Sequence, residues 1–308
     1  MTLRYPGPLA AVSLLGLLLP LASPLQAELH GHLAWLLDLA VHWQWLYLTG
    51  LLLACLLGVW RDRRWLLLLL ATPLPWLTAA PQLPPGDGSE LRVASANVHL
   101  HNRDIAPLAR WLAQRQVDLL ILLEVSPDYA EALQQLPGYK YRLIHAERSP
   151  FGIALLSRLP LEDPQVVADA RGIVHLQAHL RFAGCTLQVT ALHPMPPLSP
   201  LDHARRDQQL QQQLGQTLPG LLAGDLNATP WSSAFTGLAD RGWRRASGLA
   251  GTWPSFAAGL LGIPIDHILA SQHWHLRGHE RGPGLGSDHL PVLARLALPA
   301  CTKPGTAR

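Results

Sequence analysis

Three stretches of this chain, Tyr5 to Ala27, Leu39 to Trp60 and Trp65 to Gly86, contain no formally charged residue. This segregation constrains the fold more than any other feature of the sequence. Charged residues make up only 15% of the chain, against roughly 25% in an ordinary soluble protein, and the deficit is concentrated at the N-terminal end. Each of the first two stretches supplies the ~20 apolar residues that a bilayer-spanning helix needs. The third is dense only over Trp65 to Ala80 and carries Pro73 and Pro75, which a membrane helix tolerates where neighbours re-satisfy the freed carbonyls. Two to three transmembrane α-helices are therefore expected within residues 1–80. Tyr5 to Ala27 also fits a cleaved signal peptide, because Arg4 precedes an apolar run ending in Leu25-Gln26-Ala27. Both readings give the same topology.

Orientation follows from the basic residues. Arg61, Arg63 and Arg64 form the only dense basic cluster between the stretches, and Arg4 is the only early charge. The positive-inside rule places both in the cytoplasm and the stretch Glu28 to Leu39, free of Lys and Arg, outside. A third span then delivers everything after Gly86 to the non-cytoplasmic (periplasmic or extracellular) side of an integral membrane protein. The net charge of +3 is distorted by these arginines. From Glu90 to Pro299 there are 18 Lys and Arg against 17 Asp and Glu, which is not the electrostatic footprint of a strong nucleic-acid binder. Arg241, Arg244 and Arg245 are expected to form a solvated surface group. Cys55, Cys185 and Cys301 show neither metal-ligand spacing nor a paired framework. Cys55 and Cys185 are expected as buried apolar residues, and a Cys185–Cys301 disulfide would require an oxidising compartment.

Residues 81–89, reading PQLPPGDGS, have the composition of a linker, so a soluble domain is expected over 90–299 with a flexible tail at 300–308. Within it, Leu91 to Asn97, Leu119 to Glu124, Ile153 to Ser157, Ile173 to Leu180, Thr186 to Leu192, Leu221 to Leu226, His267 to Ala270 and Val292 to Leu298 read as strands. Helices are expected at Ile105 to Arg115, Pro127 to Gln135 and Leu201 to Leu218. Together these predict an α/β or α+β domain.

Polar residues fall at the strand termini. Asn97 and Glu124 close the first two strands, His193 follows the fifth, Asp225 and Asn227 close the sixth, Asp266 precedes the seventh, and Asp288 and His289 stand before the last. Strand termini converge on one edge of a sheet, where sites are commonly built. A carboxylate after a run of apolar residues is costly to bury without a partner. Glu124, Asp225, Asp266 and Asp288 in one place would repel one another. A hard divalent ion with oxygen ligands, Mg²⁺ above all and Mn²⁺ as the alternative, resolves the conflict.

Here the sequence resembles a known family, the endonuclease/exonuclease/phosphatase superfamily that includes DNase I, the AP endonucleases, neutral sphingomyelinases and inositol polyphosphate phosphatases. The matching pieces are Ser95-Ala-Asn97-Val, Leu122-Leu-Glu124-Val, Gly152-Ile-Ala-Leu-Leu-Ser-Arg158, Ala191-Leu-His193, Gly224-Asp-Leu-Asn227, Ile265-Asp266-His and Gly286-Ser-Asp288-His289-Leu-Pro-Val, in the family's order. The resemblance implies a DNase I-like four-layer α/β/β/α sandwich with the site at the open edge between two sheets. It implies Glu124 as principal metal ligand, Asn97 supporting the metal or its water, and Asp288 as an outer metal or orienting carboxylate. Asp225 and Asn227 resemble the pair that aligns the attacking water and the phosphate. Asp266 and His289 look like the family's Asp–His dyad, and His193 like a second, phosphate-contacting histidine. Either His289 or Asp225 could accept the water's proton.

Two departures matter. Where the AP-endonuclease branch typically has Gln before the metal-binding Glu and a carboxylate two residues after the Asn, this chain has Leu123 and His99, which disfavours abasic-site repair. The other histidines, His42, His99 and His203 among them, fit no ligand spacing and are expected in packing or surface roles. The expected activity is hydrolysis of a phosphate ester, as a phosphodiesterase or nuclease tethered to the membrane, with a phospholipid head group as the alternative to nucleic acid. A catalytically silent binding protein is a third reading, opposed by the intact set of site residues. No protein partner is expected.

Overall fold

The computed structural model describes residues 6–22, 31–215 and 218–301. Arg4, the end of the first charge-free stretch, His30 and residues 302–308 of the expected tail lie outside them. Twelve strands form two six-stranded sheets. The first contains β1 (Ser89–Asn97), β2 (Leu119–Leu123), β3 (Tyr141–His145), β4 (Ile153–Ser157), β11 (His275–Arg281) and β12 (Val292–Leu298), in the order β11-β12-β1-β2-β4-β3. The second contains β5 (Glu162–Ala168), β6 (Val174–Phe182), β7 (Cys185–Ala191), β8 (Gly220–Asp225), β9 (Trp243–Arg245) and β10 (Asp266–Ser271), in the order β5-β6-β7-β8-β10-β9.

The sheets stack face to face. Val93, Ile121, Leu123 and Leu155 of the first meet Leu176, Leu187, Val189 and Ile268 of the second in one buried cluster. Because side chains alternate along a strand, the intervening Leu120, Leu122 and Leu156 point the other way. They pack on α5 (Ala106–Arg115) and α6 (Pro127–Gln134) through Leu108, Trp111, Leu112 and Tyr129. On the far face of the second sheet, Leu222 and Leu269 pack with Leu210 of α7 (Pro200–Gln212). These are the four layers α/β/β/α. β2 is apolar throughout because both its faces are covered.

The N-terminal region, where two to three transmembrane helices are expected, is a set of short helical segments. It contains α1 (Pro6–Leu18), α2 (Gly31–Val41), α3 (Gln44–Gly58), a 3-10 run at Arg63–Ala71 and the short α4 (Leu74–Thr78). No single described helix is long and apolar enough to cross a membrane, and α2 and α3 pass that test only as a pair bent by 60°. The third charge-free stretch is 3-10 and broken helix, where the prolines interrupt regular pairing. α1 lies against α3, with Gly16 under the Tyr47 ring and Gly50 under Ser13. The chain then returns along α3: Trp65 packs on Gly58, and Trp76 meets Trp45 edge-on at 5.0 Å.

This region is docked on the α/β layers. Trp45 Nε1 donates to the Leu249 carbonyl (2.8 Å), Trp35 Nε1 to that of Pro197 (2.7 Å), and Trp231 Nε1 to that of Pro75 (2.8 Å). Asp38 of α2 is fully buried against Arg206 of α7 (2.7 Å) and also accepts from the Ser232 hydroxyl and the Ser233 amide, each at 2.8 Å. The 81–89 stretch runs in contact with β9. Arg245, expected on a solvated surface, is instead buried and clasps that stretch through its side chain on the Ala80 carbonyl (2.7 Å) and its amide on that of Pro81 (2.9 Å). Cys185 is bonded to Cys301, with Cα atoms 5.4 Å apart, leaving Cys55 as the free thiol in α3. The odd cysteine count had hidden this pairing, because the unpaired residue belongs to the helical region.

Candidate active site

Strand register places the polar termini together. β1 and β2 are parallel with Asn97 opposite Leu123, so Asn97 and Glu124 leave the first sheet at the same edge. β7 and β8 are also parallel, with Ala191 opposite Ala223, which sets His193 beside Asp225. β10 runs antiparallel to β8 and begins with Asp266 opposite Asp225. β12 runs antiparallel to β1 with Val292 opposite Ser95, so the preceding Asp288 and His289 reach the same edge. Gly224 allows β8 to pass close to its neighbour, since a Cβ there would collide with the Leu192 carbonyl oxygen. Glu124 and Asn227 hold left-handed backbone, at φ +60° and +49°. Such conformations cost energy for side-chain-bearing residues and concentrate at functional sites.

The side chains form one connected set. His289 Nδ1 lies 2.9 Å from Asp266 Oδ2, and its Nε2 lies 3.6 Å from Asp225 Oδ2. His193 Nε2 faces the same Asp225 oxygen at 3.6 Å. Asn97 Nδ2 donates to Glu124 Oε1 (2.9 Å) and Asp225 Oδ2 (3.2 Å), bridging the two sheets. Glu124 Oε2 accepts from the Leu100 amide (3.0 Å), and Asp225 Oδ1 from the Asn227 amide (3.0 Å). Asp288 stands apart from this network: it is exposed, and its carboxylate accepts from Trp253 Nε1 (3.1 Å). Burial opposes charging His289, but the Asp266 and Asp225 carboxylates outweigh it and push the imidazole up to about 10. Burial pushes the Asp266 carboxyl above its ordinary value, against the pull of His289. The adjacent His267 is brought down to about 4 by burial, with Arg245 adding to the effect, and is structural. Its Nε2–H donates to the Ala228 and Pro264 carbonyls.

The sequence model of the Endonuclease/Exonuclease/phosphatase family matches residues 94–289. The chain belongs to this family. Solved structures agree on the fold. The endonuclease/exonuclease/phosphatase from Beutenbergia cavernae superposes with a TM-score of 0.57 at 20% identity, covering 68% of this chain and 72% of that one. A Bacteroides vulgatus member gives 0.56 at 17%, covering 68% and 99%. TDP2 from D. rerio, complexed with a single-strand DNA product, gives 0.55 at 18%, covering 68% and 99%. No curated protein is significantly similar in sequence.

As an endonuclease/exonuclease/phosphatase member the protein is a phosphoric ester hydrolase. The family typically depends on a divalent metal, and the residues present fit one. Among the described residues, the cleft at this edge is lined by Glu124, Asp225 and Asp288 but by no Lys or Arg. The one charged imidazole, His289, does not offset these carboxylates, which would repel a phosphate ester, whereas a bound divalent cation would. Asp225, Asp266 and His289 each offer a ligand atom within 4.8 Å of the others, but Asp266 and His289 already satisfy each other. Glu124 and Asp225, joined through Asn97, and the exposed Asp288 present carboxylate oxygens to the cleft.

Some cleft residues carried no signal in the sequence. Phe151 tilts against the His193 ring at 5.8 Å and Trp253 against His289 at 6.4 Å. Thr252 Oγ1 accepts from the Asp266 amide (3.2 Å), fixing the start of β10. Leu39, His42 and Trp43, from the bend between α2 and α3, line the same cleft. His42 Nδ1 lies 2.9 Å from the Thr229 hydroxyl, two residues after Asn227.

Proposed function

We propose that the protein is a Mg²⁺-dependent phosphodiesterase, held in a membrane by its N-terminal helices with the catalytic domain on the non-cytoplasmic side. The observation that carries the chemistry is His289 seated between Asp266 and Asp225, with Asn97 joining Asp225 to Glu124. Glu124 and Asn97 would hold the metal, with Asp288 contributing from the rim. A divalent ion held there would offset the negative charge of the phosphate and favour deprotonation of the attacking water. Asp225 accepts the proton of the attacking water, because the charged His289 cannot. Asn227 supports Asp225 through its backbone amide. His289, kept protonated by its two carboxylates, donates to the phosphate or to the departing oxygen, and His193 binds the phosphate from the other side of Asp225. Glu124→Gln removes the ligand charge while keeping the shape. The Mg²⁺ concentration for half-maximal hydrolysis of bis(p-nitrophenyl) phosphate should rise at least ~10-fold, with the circular dichroism spectrum unchanged. An unaltered Mg²⁺ dependence would remove Glu124 from the metal site.

The membrane reading is supported by the shape of the helical region. Trp45 touches the catalytic layers, while Gly58 is thirteen residues further along α3, about 20 Å away at 1.5 Å per residue. The Arg61–Arg64 turn therefore lies at the end remote from the catalytic domain, as the positive-inside rule requires of a domain delivered outside. The Cys185–Cys301 disulfide fits an oxidising compartment. Reporter fusions at Ser89 should be active for a reporter that works only outside the cytoplasm and silent for one that works only within it. The reverse pattern would invert the topology.

A further inference from the structure

We propose that the N-terminal helices are part of the active site, and that the bend between α2 and α3 forms the apolar subsite for the hydrophobic portion of a glycerophospholipid taken from the bilayer. The inference rests on the hydrolase and membrane readings above and adds a substrate class to them. The cleft holds about 750 Å³, the size of a site for a sizeable organic ligand. Its polar members are largely the connected catalytic set. The rest of its lining is mostly apolar or aromatic, with Leu39 and Trp43 from the helical region facing Phe151, Met195, Leu198 and Ile263 from the catalytic layers.

A polynucleotide does not match this surface. Strands of nucleic acid are gripped by Lys and Arg along the backbone, and none of the described Lys or Arg residues lines the cleft. One phosphate offset by one metal, with the remainder of the ligand apolar, matches the distribution of charge.

The rim says where such a ligand comes from. Beyond residue 80, six large apolar side chains are exposed among the described residues: Val166, Leu198, Leu201, Phe256, Leu260 and Leu261. Leu198 is a cleft residue, and four of the others lie on chain segments next to cleft residues. Leu201 stands in the first turn of α7, three residues on from Leu198, and Phe256, Leu260 and Leu261 occupy the loop between the lining residues Trp253 and Ile263. These five are 56–78% exposed. A patch of this kind beside a site marks an interaction surface. On the α2 side of the cleft, Leu33 and Leu36 are exposed while Asp38 and Val41 of the same helix are buried. α2 turns leucines outward while its one charged side chain faces the catalytic layers. The mouth of the cleft is thus flanked by apolar groups on both the helical and the catalytic side, which suits lateral entry from a leaflet.

Hydrolysis adds the oxygen of water to phosphorus and breaks one ester P–O bond. The proton lost by the water goes to Asp225 and the departing oxygen takes one from His289, so one phosphodiester and one water give one phosphomonoester and one alcohol.

The full chain in detergent micelles with Mg²⁺ would be assayed on phosphatidylglycerol, on a single-stranded DNA oligonucleotide and on bis(p-nitrophenyl) phosphate. Phosphatidylglycerol should be cleaved with the highest kcat/KM. Trp43→Ala and the double variant Leu260→Glu/Leu261→Glu should each lower the ratio of lipid to small-diester kcat/KM at least tenfold. Cleavage of the small diester or DNA without the lipid would overturn the proposal and leave the hydrolase reading intact, as would a ratio that neither variant moves. Cleavage of none of the three at any Mg²⁺ or Mn²⁺ concentration would overturn both. Because Leu260 and Leu261 are solvent-exposed, their double variant reports even where Trp43→Ala fails to fold.

Discussion

His289→Ala and Asp266→Ala should each slow turnover by roughly 10²–10⁴, the range for lost acid–base catalysis, and the double variant should be little worse than His289→Ala alone. The 2.9 Å contact between His289 Nδ1 and Asp266 Oδ2 is the reason. Asp266 is sealed from solvent and its Oδ1 has no hydrogen-bond partner, so it reaches the substrate only through the imidazole. Residues acting as one unit lose activity non-additively. The pH profile separates this from a merely structural effect. A donor held up to about 10 stays protonated across the neutral range and is lost only as pH rises through that value. Asp266→Asn removes the largest of the charges that raise it, ahead of Asp225 and Asp288, so the alkaline limb of kcat/KM should move to lower pH. The measurements are kcat for the single and double variants on any diester the protein cleaves, the pH profile of Asp266→Asn, and circular dichroism of each. Multiplicative losses with an unmoved alkaline limb would make Asp266 an independent participant.

The eight strands expected from apolar runs are the inner strands of the two sheets, and the four that were missed, β3, β5, β9 and β11, are the four sheet edges. The reason is physical. An inner strand here is covered on both faces and flanked on both sides, so it reads as an unbroken apolar run, as Leu119–Leu123 does. An edge strand is partly solvated and carries charge that discourages further pairing. Glu162 and Asp163 of β5, Arg244 of β9, and Arg277, Glu280 and Arg281 of β11 erase the periodic signal.

The site was legible for a related reason. A polar residue that ends a buried strand stands out against the apolar run before it, and strand register then gathers such residues at one edge. What did not show was any residue whose role depends on the docking of the helical region. Asp38 ends the segment expected outside the first two spans, His42 lies inside an apolar stretch, and Arg206 sits among polar neighbours on a Gln-rich helix. Nothing in their local sequence signals that the first two meet the catalytic layers. Asp38 and His42 lie next to the 60° bend between α2 and α3, where Asp38 meets Arg206 and His42 meets Thr229.

That docking should be severely weakened by Asp38→Ala. The Arg206 guanidinium is sealed from solvent, and its Nη2 lies 2.7 Å from Asp38 Oδ2. Removing one partner of a buried ion pair costs about 3–5 kcal/mol, because the remaining charge is left desolvated. Asp207, at 2.6 Å and partly exposed, retains contact with Arg206, which places the expected loss near the lower figure, ~3 kcal/mol. In detergent that corresponds to a fall in Tm of roughly 6–12 °C for a domain of this size. Replacing both charges with apolar groups of similar volume is often close to neutral, so Asp38→Leu/Arg206→Met should recover most of the stability. It should not recover turnover. Arg206 Nη1 also donates to the Asn227 carbonyl at 2.9 Å, and that residue's own amide holds Asp225 Oδ1. A double variant that melts near the wild-type temperature with kcat still depressed would separate the anchoring of α2 from the positioning of Asp225. Full recovery of both would reduce the pair to an anchor, and a Tm for Asp38→Ala within 1–2 °C of wild type would show that the helices are held by their tryptophans instead.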